Sequence, residues 1–492
     1  MEDIARPPKN AGWNVEVTKG ANETTTANFI VRFDGPGDEG NPKNWPTHQK
    51  VTCTILYGLL TMGVTLSSAI YSTGVKEIAT QFNVSQDVAN LGTSTLLIGF
   101  GTGPLLWAPM SELFGRKAPV LVPYFLALIF TIGTAVATNL PTILVTRFFV
   151  GFFGSAPIAI TGGVLADLFN PQQRGLALVG YAGAVVGGPV FGPVAGGAIM
   201  HSSLGWRWTQ YVTAIYMAVV VILGSFLLSE SYGPVLLVAK ARRMRLQTGN
   251  WAYHAKHEEW DPTFKEMTTK FLVRPLRLLA TPVCFLFALH SSFVYSIVYL
   301  NLGAFPIIFQ VERGWNEFTG SLPFLALLVG IVAGALMNLK SQSFYLNRVA
   351  ANNGRAVPEA RLPPMMAGAI SITIGLFIVG NTAEAKYHWI APVSGAALMG
   401  FGFFTIFQAA LNYVVDTFAK YGASAVAANT FLRSSLASIF PPLVSRIYGR
   451  LGIVWASNML AIIALVMVPI PWVFYYQGRK FRAMGKLSRD ST

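Results

Sequence analysis

The sequence predicts an all-α membrane protein of twelve transmembrane helices in two six-helix halves. Three observations carry that expectation. Apolar residues make up 53% of the 492 and charged residues only 12%, where a soluble domain carries about 25% charge. Twelve apolar stretches are long enough to cross a bilayer. A polar segment at 230–280 divides them six and six, a plan of two repeats.

Taken in order, residues 1–48 form a polar N-terminal tail with no periodic apolar face and no cleavable signal peptide. The first half, 49–229, has spans near 51–71, 90–110, 118–138, 142–166, 176–200 and 209–229. The second half, 281–476, has spans near 281–303, 319–339, 363–381, 389–413, 424–445 and 452–476, followed by a tail at 477–492. The basic 230–280 segment reads as an amphipathic helix lying on an anionic inner leaflet. With the N-terminus cytoplasmic, the cytoplasmic loops and C-terminal tail hold 22 Lys and Arg against 6 in the outer loops. That bias places both termini inside. The net charge of +14 is then a topology signal and not a nucleic-acid surface. Cys53 and Cys284 lie in apolar stretches and read as small hydrophobes. Asn83-Val84-Ser85 is a glycosylation sequon in the first outer loop, whereas Asn22-Glu23-Thr24 lies on the inner side. Only Asn83 is expected to accept a glycan.

The fifth span holds the most telling run, GPVFGPVAGG at 188–197. Gly188, Pro189, Gly192, Pro193, Gly196 and Gly197 would break a helix in water. In lipid the helix remains the cheapest state, because neighbouring helices re-satisfy the freed backbone groups. Small residues at a spacing of four also admit a second helix at close range. The run resembles the antiporter motif on the fifth span of drug/proton exchangers of the major facilitator superfamily. The resemblance implies that a substrate leaves as protons enter.

The turn between spans two and three reads Pro109-Met110-Ser111-Glu112-Leu113-Phe114-Gly115-Arg116-Lys117. Gly115 suits a tight turn. Glu112, at its helix end, is placed to pair with Arg116 and Lys117 or with a neighbouring helix N-terminus. The segment resembles the superfamily's loop motif in the version found in fungal drug/proton antiporters, with Ala108, Glu112 and Leu113 where the general motif has glycine, aspartate and arginine. The resemblance implies a latch between conformations. On the residues alone, an ion pair that only sets topology fits as well.

Arg147 lies inside span four, where a charge costs about 3 kcal/mol on insertion scales. The family motif has an arginine here, with a glutamine where this chain has Val150, and implies proton coupling. The alternative is snorkelling to the outer interface from five residues into the span. Span one offers no carboxylate, and Glu112, Asp167, Glu230 and Asp416 all fall at cytoplasmic ends. Asp167 is assigned with Arg147 to proton coupling, through a relay with Glu112 and Arg116; a solvated helix end is the other reading. His290, on span seven, belongs to a residue type that titrates near neutral pH, yet a lone histidine is more often a hydrogen-bonded core residue.

Three further segments resemble the polyamine-transporter-like branch of fungal twelve-span drug/proton antiporters. They are Asn41-Pro42-Lys43-Asn44-Trp45, the stretch from Glu230-Ser231-Tyr232 to Lys240-Ala241, and Pro471-Trp472 with Gly478-Arg479-Lys480-Phe481-Arg482. The likeness runs from about residue 33 to residue 483 and implies the major facilitator fold. A substrate cavity is expected at mid-membrane between the halves. Its candidate lining is Tyr57 and Ser68 on span one, His290, Tyr295, Tyr299 and Asn301 on span seven, Gln408 and Asn412 on span ten, and Arg433 on span eleven. Aromatic walls with few charges suit bulky, largely apolar ligands. Arg433 needs a partner, either Asp416 or an anionic or phenolate substrate.

The expected function is proton-coupled export of a small, largely apolar organic compound such as a secondary metabolite, toxin or drug. The partners are substrate, protons and the lipid bilayer, for a monomer in the cell membrane with no cofactor and no metal. Polyamine or azole-type drug export is the alternative cargo, and a non-transporting membrane sensor the alternative class. A G-x-x-x-x-G-K-[ST] loop for ATP-driven pumping is absent. With no nucleophile constellation either, an enzyme is not expected.

Overall fold

The computed structural model describes residues 29–35, 37–259, 266, 269, 273–418 and 421–484. The Asn22 sequon, the last residues of the C-terminal tail and part of the 230–280 segment lie outside the described residues. Helices occupy all twelve expected positions. In the first half they are Thr47–Ile70, the pair Gln86–Thr102 and Pro104–Phe114, Ala118–Ala135, Leu140–Leu168, Pro171–His201 and Trp206–Leu227. In the second they are Pro282–Phe305, Pro323–Ala351, Pro363–Asn381, Ile390–Thr417, Gly422–Ile439 and Val444–Met467.

Ten continuous stretches among the described residues are each long and apolar enough to cross a membrane. The difference from twelve has two causes. In span two the hydrogen-bond ladder lapses at Pro104, which has no N–H, so the span divides into pieces of 17 and 11 residues although Gly103 keeps helical angles of φ −59° and ψ −42°. Spans eleven and twelve follow one another so closely that Ser424–Ala483 forms one helical run. Helix starts are set locally. Asn139 Oδ1 accepts from Thr142 N at 2.9 Å, and Pro141, Pro282 and Pro323 sit in first turns, where the missing N–H has no helical acceptor anyway. Span five stays helical from Pro171 to His201 through both of its internal prolines.

The two halves repeat one packing scheme. Span one lies against five, two against four and three against six; seven lies against eleven, eight against ten and nine against twelve. Between the halves, span two meets eleven and span five meets eight, the equivalent pairs under a twofold relation. Large apolar side chains such as Phe226, Val466 and Trp455 are exposed on the outside of the bundle, as a lipid-facing surface requires.

The 230–280 segment differs from its expected form. Its helix, Gly233–Thr248, is not free to lay its apolar side on lipid. Leu237, Val238, Ala241 and Met244 pack with Val31, Tyr253 and Ala255. Val31 N donates to the His254 carbonyl at 2.8 Å. Lys240 Nζ bridges Asp34 at 2.7 Å and Asp38 at 3.5 Å. Val31, Asp34 and Asp38 therefore strap the described part of the N-terminal tail to the central segment, at the end of the bundle that carries Arg116, the basic end.

Candidate functional site

The span two–three turn builds a buried polar knot at the basic end. Gly115 sits at φ +88°, and a Cβ there would collide with Glu230, so the turn requires glycine. The positive φ brings Arg116 N and Lys117 N onto the Glu230 carboxylate, at 2.8 and 3.0 Å. Glu230 thereby caps the N-terminus of span three, where a negative charge meets the helix dipole. The Arg116 side chain turns inward. Its Nε meets Asp167 Oδ2 at 3.0 Å, its NH1 meets Ser111 Oγ at 2.8 Å, and its guanidinium lies 4.5 Å from the centre of the Tyr232 ring. Asp167 is thus an ion-pair partner of Arg116 and not a solvated helix end. Lys117 Nζ donates to the Ser225 carbonyl at 3.1 Å.

The second half carries a matching knot that the sequence reading did not single out. Arg361, between spans eight and nine, pairs through Nε with Asp416 at 3.0 Å and through NH1 with Gln342 at 2.6 Å, and stacks on Tyr345. Glu359 pairs with Arg482, beyond span twelve. The available signal was positional: Arg361 lies in the second half where Arg116 lies in the first. This knot also decides one open question, because Asp416 is taken by Arg361 and is not the partner of Arg433.

Arg147 is fully buried, which rules out snorkelling. Its Nε donates to the Gly92 carbonyl of span two at 3.0 Å, and its NH1 to the Ser67 carbonyl of span one at 2.8 Å. The guanidinium lies 4.3 Å from the centre of the Tyr71 ring, while NH2 has no partner. The cation thus ties spans one, two and four together through backbone carbonyls. It does not meet Asp167, which sits 20 residues further along the same helix, about 30 Å away at the helical rise.

Span five's small residues face span one. A Cβ on Gly188 would run into Thr65 and Leu66, one on Gly192 into Ala69 and Ile70, and one on Gly196 into Thr73. Gly197 instead faces Glu317 and Ser321 of the second half. Pro193 is buried and lines a cavity of about 660 Å³ at the end opposite the basic one, with Thr73, Glu77, Gly197, Tyr299 and Trp315.

Tyr299 ends that cavity on its inner side and joins the halves. Its hydroxyl lies 2.8 Å from Ser68 Oγ and 3.3 Å from the Tyr295 hydroxyl. Asp87–Arg446 at 2.8 Å and His201–Glu317 at 3.7 Å also bridge the halves at this end. One helical turn deeper, Arg433 lies 4.6 Å from the Tyr295 ring centre and 4.8 Å from that of Phe407. Phe407 and its stacking partner Phe403 were missed in the sequence, where phenylalanines are too common in spans to stand out.

Of the expected lining, the structure brings Ser68, Tyr295, Tyr299 and Arg433 into one cluster. Gln408 and Asn301 are buried, with Asn301 Nδ2 unpaired, while Asn412 is only partly buried. His290 is buried with Nδ1 unpaired. Tyr57 falls elsewhere, within electrostatic reach of Glu230, Arg116 and Asp167. Asn83 is exposed in the turn before span two, at φ +52°.

Residues 57–442 match the description of the Major Facilitator Superfamily. The chain belongs to that superfamily. It is a multi-pass membrane transporter and not an enzyme. Among similar major facilitator proteins is the efflux pump bik6 of Gibberella fujikuroi, 46% identical, with 96% of this chain and 97% of that one covered. The citrinin biosynthesis cluster MFS transporter mrr1 of Monascus ruber is 40% identical, over 95% and 94% of the two chains. The multidrug transporter FLU1 of Candida albicans is 38% identical, over 94% and 76%. The solved proton:xylose symporter XylE superposes with a TM-score of 0.63 at 16% identity, over 88% of this chain and 97% of that one. At that identity the likeness concerns the fold.

Proposed function

We propose that this major facilitator protein exports a small, largely apolar organic compound from the cytoplasm in exchange for protons. The basic end faces the cytoplasm, both termini lie there, and the chain works as a monomer in the cell membrane. The observation that carries the reading is span five packed on span one through Gly188, Gly192 and Gly196, with no room for a single added carbon. That seam lets the helices slide as a tight pair while the halves rock, and its sequence is the one that resembles exchangers. The names of the efflux pump and biosynthesis-cluster relatives support export.

Within this reading the Arg116–Asp167–Glu230 knot is the latch at the cytoplasmic end, and Asp167 is its proton-accepting group. Arg147 holds spans one, two and four in register for coupling. Polyamine cargo fits less well, since polycations are bound by carboxylates and the described spans carry theirs only near the ends. The test is retention of the neutral dye Nile red in yeast cells stripped of their own exporters. Expression should lower retained dye, and retention equal to that of cells with an empty vector would overturn the reading.

A further inference from the structure

Arg433 is the cation in the bundle core that the rest of the protein leaves unanswered. It is 6% exposed and its Nε has no hydrogen-bond partner. Among the described residues no carboxylate lies within ion-pair distance of it, and Asp416, the acid nearest in sequence, is bound to Arg361. Tyr295 and Phe407 lie against the guanidinium, but ring faces attract the cation without accepting its N–H bonds, and a guanidinium has five of those in one plane. The arginine therefore retains a desolvated Nε–H beside an aromatic surface, and its terminal nitrogens make no hydrogen bond to any described residue. A buried polar group without partners is costly, and such a site has to be answered by something that arrives from outside the chain.

The charge around it points the same way. Tyr299 lies within electrostatic reach of both Arg433 and Arg147. Among the described residues Arg147 is also without an acid, and it gives Nε and NH1 to carbonyls. The centre of the bundle thus holds two positive charges with no carboxylate of the described residues paired to either. In a low-dielectric interior that arrangement attracts an anion and repels a cation.

We propose that Arg433 binds the carboxylate or phenolate of an aromatic cargo whose ring system packs on Tyr295, Phe407 and Phe403. The assignment deepens the transport reading above and rests on it for the word cargo. The planar fork matches a carboxylate in two parallel hydrogen bonds. The rings give the uncharged body of the ligand an apolar wall. Ser68–Tyr299 separates this cluster from the cavity at the opposite end, one helical turn away.

The test is equilibrium binding to the purified full-length protein in lipid nanodiscs at pH 8. The probes are 1-naphthoate, the neutral 1-naphthamide and the cationic 1-naphthylmethylammonium. The wild-type protein should bind naphthoate about tenfold or more tightly than naphthamide, the worth of one charge-assisted contact, and the ammonium most weakly. Arg433→Gln should bring naphthoate down to the level of naphthamide while naphthamide binding and monodisperse elution are retained. Arg433→Lys should restore part of the preference. Equal binding of the three probes by the wild-type protein, which needs no variant, overturns the proposal. So does a naphthoate preference that survives Arg433→Gln. Because binding carries no direction, failure of the protein to carry 1-naphthoate outward with the naphthoate preference intact sinks the export reading alone. Export without that preference sinks this assignment alone.

Discussion

At the scale of single residues the structure separates two arginines that look alike in the sequence. Both are isolated cations in apolar spans. Arg147 gives Nε and NH1 to backbone carbonyls and leaves only NH2 unpartnered, whereas Arg433 faces its rings and makes no hydrogen bond to any described residue. Removing Arg147 therefore affects structure as well as coupling. Arg147→Ala removes the cation's hydrogen bonds to the Gly92 and Ser67 carbonyls, each worth about 1.5–3 kcal/mol as a bond from a charged group. It should lower the melting temperature and abolish proton-driven export while part of the substrate affinity remains. Arg147→Lys should recover only part, because lysine cannot reach two carbonyls with one planar fork. Measuring substrate-induced proton release alongside ligand affinity checks this; intact proton release in Arg147→Ala removes Arg147 from coupling. The sequence showed that Arg147 was costly and needed partners. It did not show that those partners were carbonyls, because a backbone acceptor has no signature in residue type.

At the scale of elements, span five makes the sharpest demand. Gly192 lies against Ala69 and the Ile70 backbone, so a leucine there must push span one away. Overpacking of this kind costs about 1–3 kcal/mol. Gly192→Leu should reach the membrane but fail to export Nile red, whereas substitution at Gly180, where a Cβ meets nothing, should be tolerated. Wild-type export by Gly192→Leu would show that the seam is not needed. The positions of the twelve spans were legible because length and hydropathy suffice for them. The missing ladder bond in span two follows from Pro104, but hydropathy runs smoothly through it. The central helix was legible as basic; that its apolar side is taken by Val31 was not, because strapping joins segments about 200 residues apart. The backbone N–H groups of Asp34 and Gly40, with a lesser contribution from Lys240, hold the Asp38 carboxyl below its usual range. That part of the strap's stability is present above the usual carboxylate range and is lost as the pH falls through the lowered value. The effect is small, since Asp38 is a surface group.

At the scale of the whole molecule, two polar knots at one end and bridges between the halves at the other give the bundle its polarity. If the knots are cytoplasmic, Asn83 is the sequon that faces the glycosylation machinery. A glycosidase-sensitive mass shift should then disappear in Asn83→Gln and be unaffected by Asn22→Gln; a glycan lost only in Asn22→Gln reverses the orientation. The repeat that generates the second knot could be read only by aligning the halves, because Arg361–Asp416 and Arg116–Asp167 share geometry and little surrounding sequence.

The central claim is exchange of cargo against protons. Its most direct test uses inside-out proteoliposomes with an acid lumen, following 1-naphthoate and lumenal pH together. A weak acid left to diffuse collects on the alkaline side, so accumulation in the acid lumen requires a carrier. The account predicts that naphthoate accumulates there, that lumenal pH rises in step, and that both stop when an ionophore collapses the gradient. Accumulation that persists without the gradient, or a gradient that drives none, contradicts it.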